Sequence, residues 1–275
     1  MLGPAEAIAL ANDERHARLQ RSQGDAPPSR TPEHQILNPE RACRLAETNS
    51  PIARSAVLVH GAYADGSSWA DVIPLLLDAG LKVTAVQNPL TSLADDVAAT
   101  RRALDLAEGP VVLAGHSWAG TVITEAGLHD KVSALVYIAA RAPDAGEDYA
   151  ALAGRFPAAP ASAGLTFTDG YGRLSDEAFL ADFTNGVDPE RAQVLLAVQG
   201  PVSDALFPSR TTVAAWRSRP TYYSISKDDR TTSPELERFL ADRMKARTIE
   251  LESGHLAMVT HPRQVADLIL EASGR

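Results

Sequence analysis

Cysteine is nearly absent: Cys43 is the only one in 275 residues, so no intrachain disulfide can form. Basic excess is absent too. The formal net charge is -9 and the pI near 5.3, which argues against nucleic acid or an anionic membrane as the main partner, since both demand a basic face. No apolar run reaches the ~18–20 residues that span a bilayer. The start, MLGPAEAIALANDERHARLQ, has neither the basic opening nor the long apolar centre of a secretory signal. Metal and cofactor signatures are missing as well: there is no HExxH, no Cys/His cluster, no GxGxxG behind a strand and no P-loop. What is present is a chain with 45% hydrophobic residues, a globular composition long enough for one large α/β domain. A cytoplasmic protein with neither metal nor cofactor is expected.

Residues 1–54 differ from the rest. Ala5–Gln20 reads as one short helix, and GDAPPSRTPEHQ behind it, rich in proline, glycine and polar groups, reads as loop. The expectation is a loose N-terminal extension, or more sharply an arm packed on a partner or over a pocket. From Ser55 onward short β-branched runs alternate with helical patterns. The runs are SAVLV (55–59), LKVTAV (81–86), PVVLAG (110–115), VSALVYIAA (132–140), TYYSIS (221–226) and RTIELE (247–252). Nearly continuous apolar stretches of this kind belong to parallel strands buried on both faces. Ser92 with Asp95 forms a capping-box-like helix start, and Ser233-Pro234 is an N-cap followed by an N1 proline. The alternation predicts a doubly wound, mostly parallel sheet with helices on both faces. About 80 residues between the fourth and fifth runs lack a long strand. They hold a hairpin, FTDGYGRL (167–174), turning at Asp169-Gly170, and two short helices, SDEAFLADF and DPERAQVLLAVQG. Residues 55–143 and 220–275 are therefore expected to form the core, and 144–219 a mainly helical cap over the C-terminal edge of the sheet.

Chemistry concentrates at that edge. Ser117, in PVVLAGHSWAGTVITE, lies between a buried strand and a helix pattern, where a sharp turn lifts a hydroxyl clear of the sheet. An N-cap serine on an ordinary turn fits the same residues. The free N–H groups of the helix start favour an oxyanion beside it, with the N–H of Trp118 aimed at the spot. A second N–H, that of Ala62, is available from the turn in VLVHGAYADGSSW, where His60 braces the backbone. A serine needs a base. His255, in SGHLAMVTHP after the last strand, is preferred over His261 at a helix start, His16 and His34 in the extension, His116 inside the turn and His129 behind its helix. The Ser…Asp…His order asks for a carboxylate in between. Asp229 is the first choice, Asp228 the second and Asp144 the third.

These pieces resemble the α/β-hydrolase superfamily over residues 55–275, closest to its cofactor-free esterase and hydroxynitrile-lyase branch. The residues that carry the resemblance are VLVHGAYADGSSW, GHSWAG, the DR…SPE segment and SGHLAMVTHP. It implies Ser117, Asp229 and His255 as a catalytic triad, and Ala62 and Trp118 as backbone donors of an oxyanion hole. The lyases of that branch carry threonine in place of Gly61 and lysine directly after the histidine; Gly61 and Leu256 stand here, which is the esterase pattern. One departure is Ala119, where the turn usually has glycine, a methyl expected to widen the turn slightly. The tryptophan after Ser117 is shared with dehalogenases and epoxide hydrolases, whose aspartate nucleophile a serine cannot replace.

The activity implied is hydrolysis of a carboxylic ester or lactone of a small, largely apolar molecule through an acyl-enzyme, with a small-molecule receptor or a non-hydrolytic lyase as alternatives on the same fold. No nucleic acid, membrane or cofactor is implied, and a homodimer is left open. Selectivity is expected from apolar walls: Tyr63 beside the oxyanion loop, Trp118, and Phe167, Phe179 and Phe183 of the cap.

Overall fold

The computed structural model describes residues 52–275. The expectations for the N-terminal extension, and Cys43 with it, lie outside the described residues. All six apolar runs become strands of one sheet: β1 (Ser55–Val59), β2 (Lys82–Val86), β3 (Val111–His116), β4 (Val132–Ile138), β8 (Thr221–Ser226) and β9 (Arg247–Leu251). Their order is β2-β1-β3-β4-β8-β9, and every neighbouring pair is parallel. β1 and β3 are buried at every position, and β4 and β8 at all but one each. Helices cover both faces of such strands, which is why their sequences lack alternation. The edge strands β2 and β9 are buried only at their last residue.

The strand order reverses direction between β1 and β3, which pair in register with Val59 opposite Gly115. At such a switch point the two following loops diverge to opposite faces and leave a crevice at the carboxyl ends of the strands. The loop after β1 carries Gly61 and Ala62, and the loop after β3 carries Ser117.

The helix starts follow the sequence. Ser92 accepts the N–H of Asp95 at 3.1 Å and caps the helix Leu93–Leu106, while its hydroxyl reaches back to the Asp95 carboxylate at 2.7 Å. Ser233 caps Pro234–Met244 with proline in the first turn.

Between β4 and β8 the chain adds a second, antiparallel sheet in the order β5 (Leu165–Thr168), β6 (Tyr171–Leu174), β7 (Val202–Ser203). The β5–β6 turn has both Asp169 (φ 51°) and Gly170 (φ 79°) in the left-handed region, as a two-residue hairpin loop with matching twist needs. β7, two residues long, has no sequence pattern to betray it. The SDEAFLADF stretch is one helical turn, Asp176–Ala178, that widens into a π-helical turn over Phe179–Phe183. The insertion is fastened to the loop that follows β8. Arg230 Nε donates to Asp182 at 2.6 Å, Asn185 Nδ2 to the Asp228 carbonyl at 2.8 Å, and the Ala161 N–H to the Arg230 carbonyl at 3.0 Å. Among the described residues no helix is long and apolar enough to cross a membrane.

Candidate active site

Each side chain of interest leaves the carboxyl end of a strand. Behind β3, Ser117 adopts φ 54°, a left-handed conformation disfavoured for any residue with a Cβ, and the helix Ala119–Ala126 begins two residues later. Three hydrogen bonds fix this turn. The Ser117 N–H donates to the Ile138 carbonyl at 3.1 Å, and the Ser117 carbonyl accepts the N–H groups of Gly120 and Arg141, each at 3.0 Å. The backbones here leave no room for a Cβ at two positions. One on Gly115 would stand 2.9 Å from the Ala119 carbonyl oxygen, and one on Gly120 only 1.9 Å from that of Arg141. The close approaches thus fall at Gly115 and Gly120. Ala119, fully buried, sits where the fold does not demand glycine.

His255 follows β9 and is wholly buried. Its Nδ1 lies 2.6 Å from Oδ2 of Asp229, whose other oxygen accepts the N–H groups of Thr231 (2.6 Å) and Thr232 (2.8 Å). A carboxylate at Nδ1 selects the tautomer with its proton there, leaving Nε2 as a base. That Nε2 is buried and has no hydrogen-bond partner among the described residues. Asp228 is exposed, and Asp144 pairs with Arg217; neither meets His255. Of the three candidate carboxylates, Asp229 is the one hydrogen-bonded to His255 among the described residues.

His116 and Phe183 flank the base, their ring centroids 4.6 and 5.3 Å from that of His255. His116 Nε2 donates to the His255 carbonyl at 3.0 Å, tying the base's loop to the turn that holds Ser117. Burial, and after it the neighbouring His255, hold the His116 pKa well below the ordinary histidine range, so its ring stays neutral. His60 braces the other loop, as expected. Its Nε2 accepts the Asn88 N–H at 2.9 Å, so Nδ1 carries the proton and donates to the Gly61 carbonyl at 2.8 Å. The N–H groups of Ala62 and Trp118 make no backbone hydrogen bond among the described residues, and both residues line the same cavity as Ser117.

Two buried carboxyl groups support the arrangement, and the sequence reading passed over both. Asp96 accepts the Trp118 indole N–H at 2.8 Å and the Leu90 N–H at 2.9 Å, and burial raises its pKa against those two donors. Glu237, fully buried on the helix after β8, accepts the Ser226 N–H at 2.9 Å and feels the nearby charge of Asp229. Burial first, then the Asp229 charge, push its pKa well up, so Glu237 is the protonated member of that pair. Only their capping-free positions inside helices marked them, and that signal is weak.

The cavity at Ser117 holds about 260 Å³ and is walled by Tyr63, Trp118, Phe207, Leu165, Leu174 and Arg141, among others. Of the expected wall residues, Tyr63 and Trp118 line it. Phe179 and Phe183 are buried against each other at 4.8 Å, and Phe183 meets the edge of Tyr63 at 6.2 Å. They support the wall from behind and do not form it. Phe167 is half-exposed on the hairpin, its ring against Gly172, and does not reach the cavity. Alternation puts Phe167 on the same face of β5 as Leu165, which does line the cavity, but Phe167 lies two residues nearer the turn at Asp169-Gly170. A larger cleft of about 720 Å³ beside Arg101 and Arg210 contains none of these groups.

The sequence matches the alpha/beta hydrolase family over residues 56–268. It is 25% identical to methylesterase 8 of Arabidopsis thaliana over 261 residues, covering 83% of this chain and 92% of that protein. Among solved structures, polyneuridine aldehyde esterase superposes with a TM-score of 0.69 at 20% identity, over 80% of this chain and 99% of the other. A pyrethroid hydrolase from Sphingobium faniae JZ-2 superposes at 0.66 with 19% identity, over 81% and 98%. With its parallel sheet, its left-handed serine turn and this match over most of its length, the chain belongs to the alpha/beta hydrolase family.

Proposed function

We propose that this protein is a serine hydrolase of small carboxylic esters or lactones, working through an acyl-enzyme. The observation that carries the reading is the buried His255, held at Nδ1 by Asp229 and unpartnered at Nε2, in a loop tied to the turn of Ser117. Ser117 attacks the ester carbonyl while His255 takes its proton, and Asp229 keeps the ring in the basic tautomer and stabilises the imidazolium. The N–H groups of Ala62 and Trp118 bind the oxyanion of the tetrahedral intermediate. His255 then gives the proton to the leaving alkoxide, and water activated by the same base releases the acid. The names of the similar proteins, a methylesterase, an aldehyde esterase and a pyrethroid hydrolase, support hydrolysis. Gly61 supports it further: a side chain there would collide with Ser117 and His116, so the threonine of the lyase pattern has no room. The cap formed by the insertion closes the cavity on the side of Leu165 and Leu174.

The test compares wild type with Ser117→Ala on short p-nitrophenyl esters. Wild type should show a burst and steady turnover, and the variant neither. Equal rates would remove Ser117 from the mechanism, and cyanide release from a cyanohydrin in place of ester cleavage would favour the lyase.

A further inference from the structure

Arg141 leaves β4 beside the nucleophile, and its position is tightly set. Its backbone N–H donates to the Ser117 carbonyl. The turn before it is clamped by Tyr223, whose hydroxyl donates to the Ala140 carbonyl at 2.6 Å and receives the Ala140 N–H at 3.0 Å. The guanidinium carbon lies 4.6 Å from the ring centroid of Tyr149, 4.8 Å from Phe207 and 5.5 Å from Trp118. These rings attract a cation and shield it from bulk water.

Among the described residues this guanidinium pairs with no carboxylate and donates to no protein oxygen. Other arginines nearby behave differently. Arg243 is held by both oxygens of Glu147, at 2.7 and 3.1 Å, and Arg230 by Asp182. Burial pulls the Arg141 pKa down from the ordinary arginine range while Tyr149 and Tyr63 oppose it, yet a guanidinium in a protein keeps its proton. A half-buried cation without a counter-ion is costly unless something else completes it.

The guanidinium opens into space. Arg141 lines the Ser117 cavity and also a second chamber of about 350 Å³, and the two share Arg141, Ser162, Thr231 and Thr232 as walls. We propose that Arg141 anchors a carboxylate of the substrate, so that the ester cleaved at Ser117 belongs to a molecule carrying a second, free carboxylate. This rests on the serine-hydrolase reading. The rings of Tyr149, Phe207 and Trp118 take up none of the guanidinium N–H groups, which are left as donors. A planar carboxylate engages them bidentately, with both oxygens satisfied. The anchored group is not the reacting carbonyl, which the Ala62 and Trp118 N–H groups address. The largely apolar substrate expected from aromatic walls with few polar groups thereby gains one charged group, held by Arg141.

The experiment uses the full chain and a series of dicarboxylic half-esters, monomethyl succinate to monomethyl suberate, each against its dimethyl ester. Wild type should favour the best half-ester in kcat/KM. In Arg141→Met the ratio of half-ester to diester should fall roughly 10–100-fold, the worth of one desolvated charge-assisted pair, mainly through KM. Arg141→Lys, which keeps charge without the fork, should restore part of the ratio. Calorimetry of Ser117→Ala with the same half-ester reads binding without turnover, and the heat should vanish in Ser117→Ala/Arg141→Met. Should Arg141→Met fail to fold, inhibition of wild-type diester hydrolysis by the free dicarboxylate against its diamide decides, with the dicarboxylate expected to be the stronger. Ser117-dependent hydrolysis with an unchanged ratio, or equal inhibition, would overturn the Arg141 proposal and leave the hydrolase intact. Arg141-dependent half-ester binding without any ester turnover would do the opposite.

Discussion

Gly61 passes so close to Ser117 that a Cβ on the glycine would stand 2.8 Å from the serine's own Cβ and 2.9 Å from Nδ1 of His116. Neither neighbour can yield, because Ser117 is fixed by three backbone hydrogen bonds and His116 is fully buried. The loop carrying the Ala62 N–H is what must move. Gly61→Ala should therefore keep the fold and lower kcat by roughly 10²–10³-fold, the usual effect of losing one oxyanion donor. A kcat near wild type on a p-nitrophenyl ester would mean that this N–H does not serve the reaction.

Asp229 and Asp228 are neighbours in sequence with opposite surroundings. Asp229 touches His255 and two backbone N–H groups, while the side chain of Asp228 faces solvent. Asp229→Asn should cost roughly 10⁴-fold in kcat, because the amide holds the imidazole in the wrong tautomer. Asp228→Asn should stay within about twofold. Steady-state kinetics of both variants decide, and the reverse ranking would move the role to Asp228.

The Trp118 ring is anchored by Asp96 rather than by packing alone. Asp96→Leu would orphan two buried donors, the Trp118 indole N–H and the Leu90 N–H. At about 1–3 kcal/mol for each lost partner, urea denaturation should show a loss of about 2–6 kcal/mol. Turnover should drop as well, since Trp118 lines the cavity and supplies a backbone donor in the proposed mechanism. An Asp96→Leu protein as stable as wild type would show that the hydrogen bonds are incidental.

Glu237 predicts a dependence of stability on pH. Its pKa is raised above the ordinary 4.5, so the folded state holds a proton that the unfolded chain releases. Stability from this group is greatest below 4.5 and declines as pH rises above it, by at most about 1.4 kcal/mol per pH unit. Glu237→Gln removes the titration while keeping the shape. The variant should gain on wild type progressively from pH 5 to 8 in chemical denaturation. A stability difference independent of pH would indicate that Glu237 is ionised in the folded protein.

The core sheet is legible in the sequence because parallel strands buried on both faces leave unbroken apolar runs, and Ser92 and Ser233 announce their helices by local capping. Residues at the ends of those runs are legible too, which is how Ser117, Asp229 and His255 can be named before any coordinates. Contacts across the fold are another matter. Arg141 is visible as a residue following β4. That it lacks a carboxylate depends on where Glu147, Asp144 and Asp182 point, and no local pattern records this. Glu237 and Asp96 look like ordinary helix-surface acids until the packing buries them. Phe167 misleads for a related reason: an aromatic residue in a cap segment reads as wall, but it sits toward the tip of the hairpin, beyond the cavity that Leu165 on the same face lines.

The fastenings of the insertion reach the loops of both Asp229 and His255. Arg230 and Asp228, which flank Asp229 in sequence, hold Asp182, Asn185 and Ala161 of the insertion, and Asn185 also packs against Gly254, the residue before His255. A Cβ on Gly254 would stand only 2.2 Å from the Asn185 side chain. The same few contacts therefore both seat the insertion and brace the loops that carry Asp229 and His255.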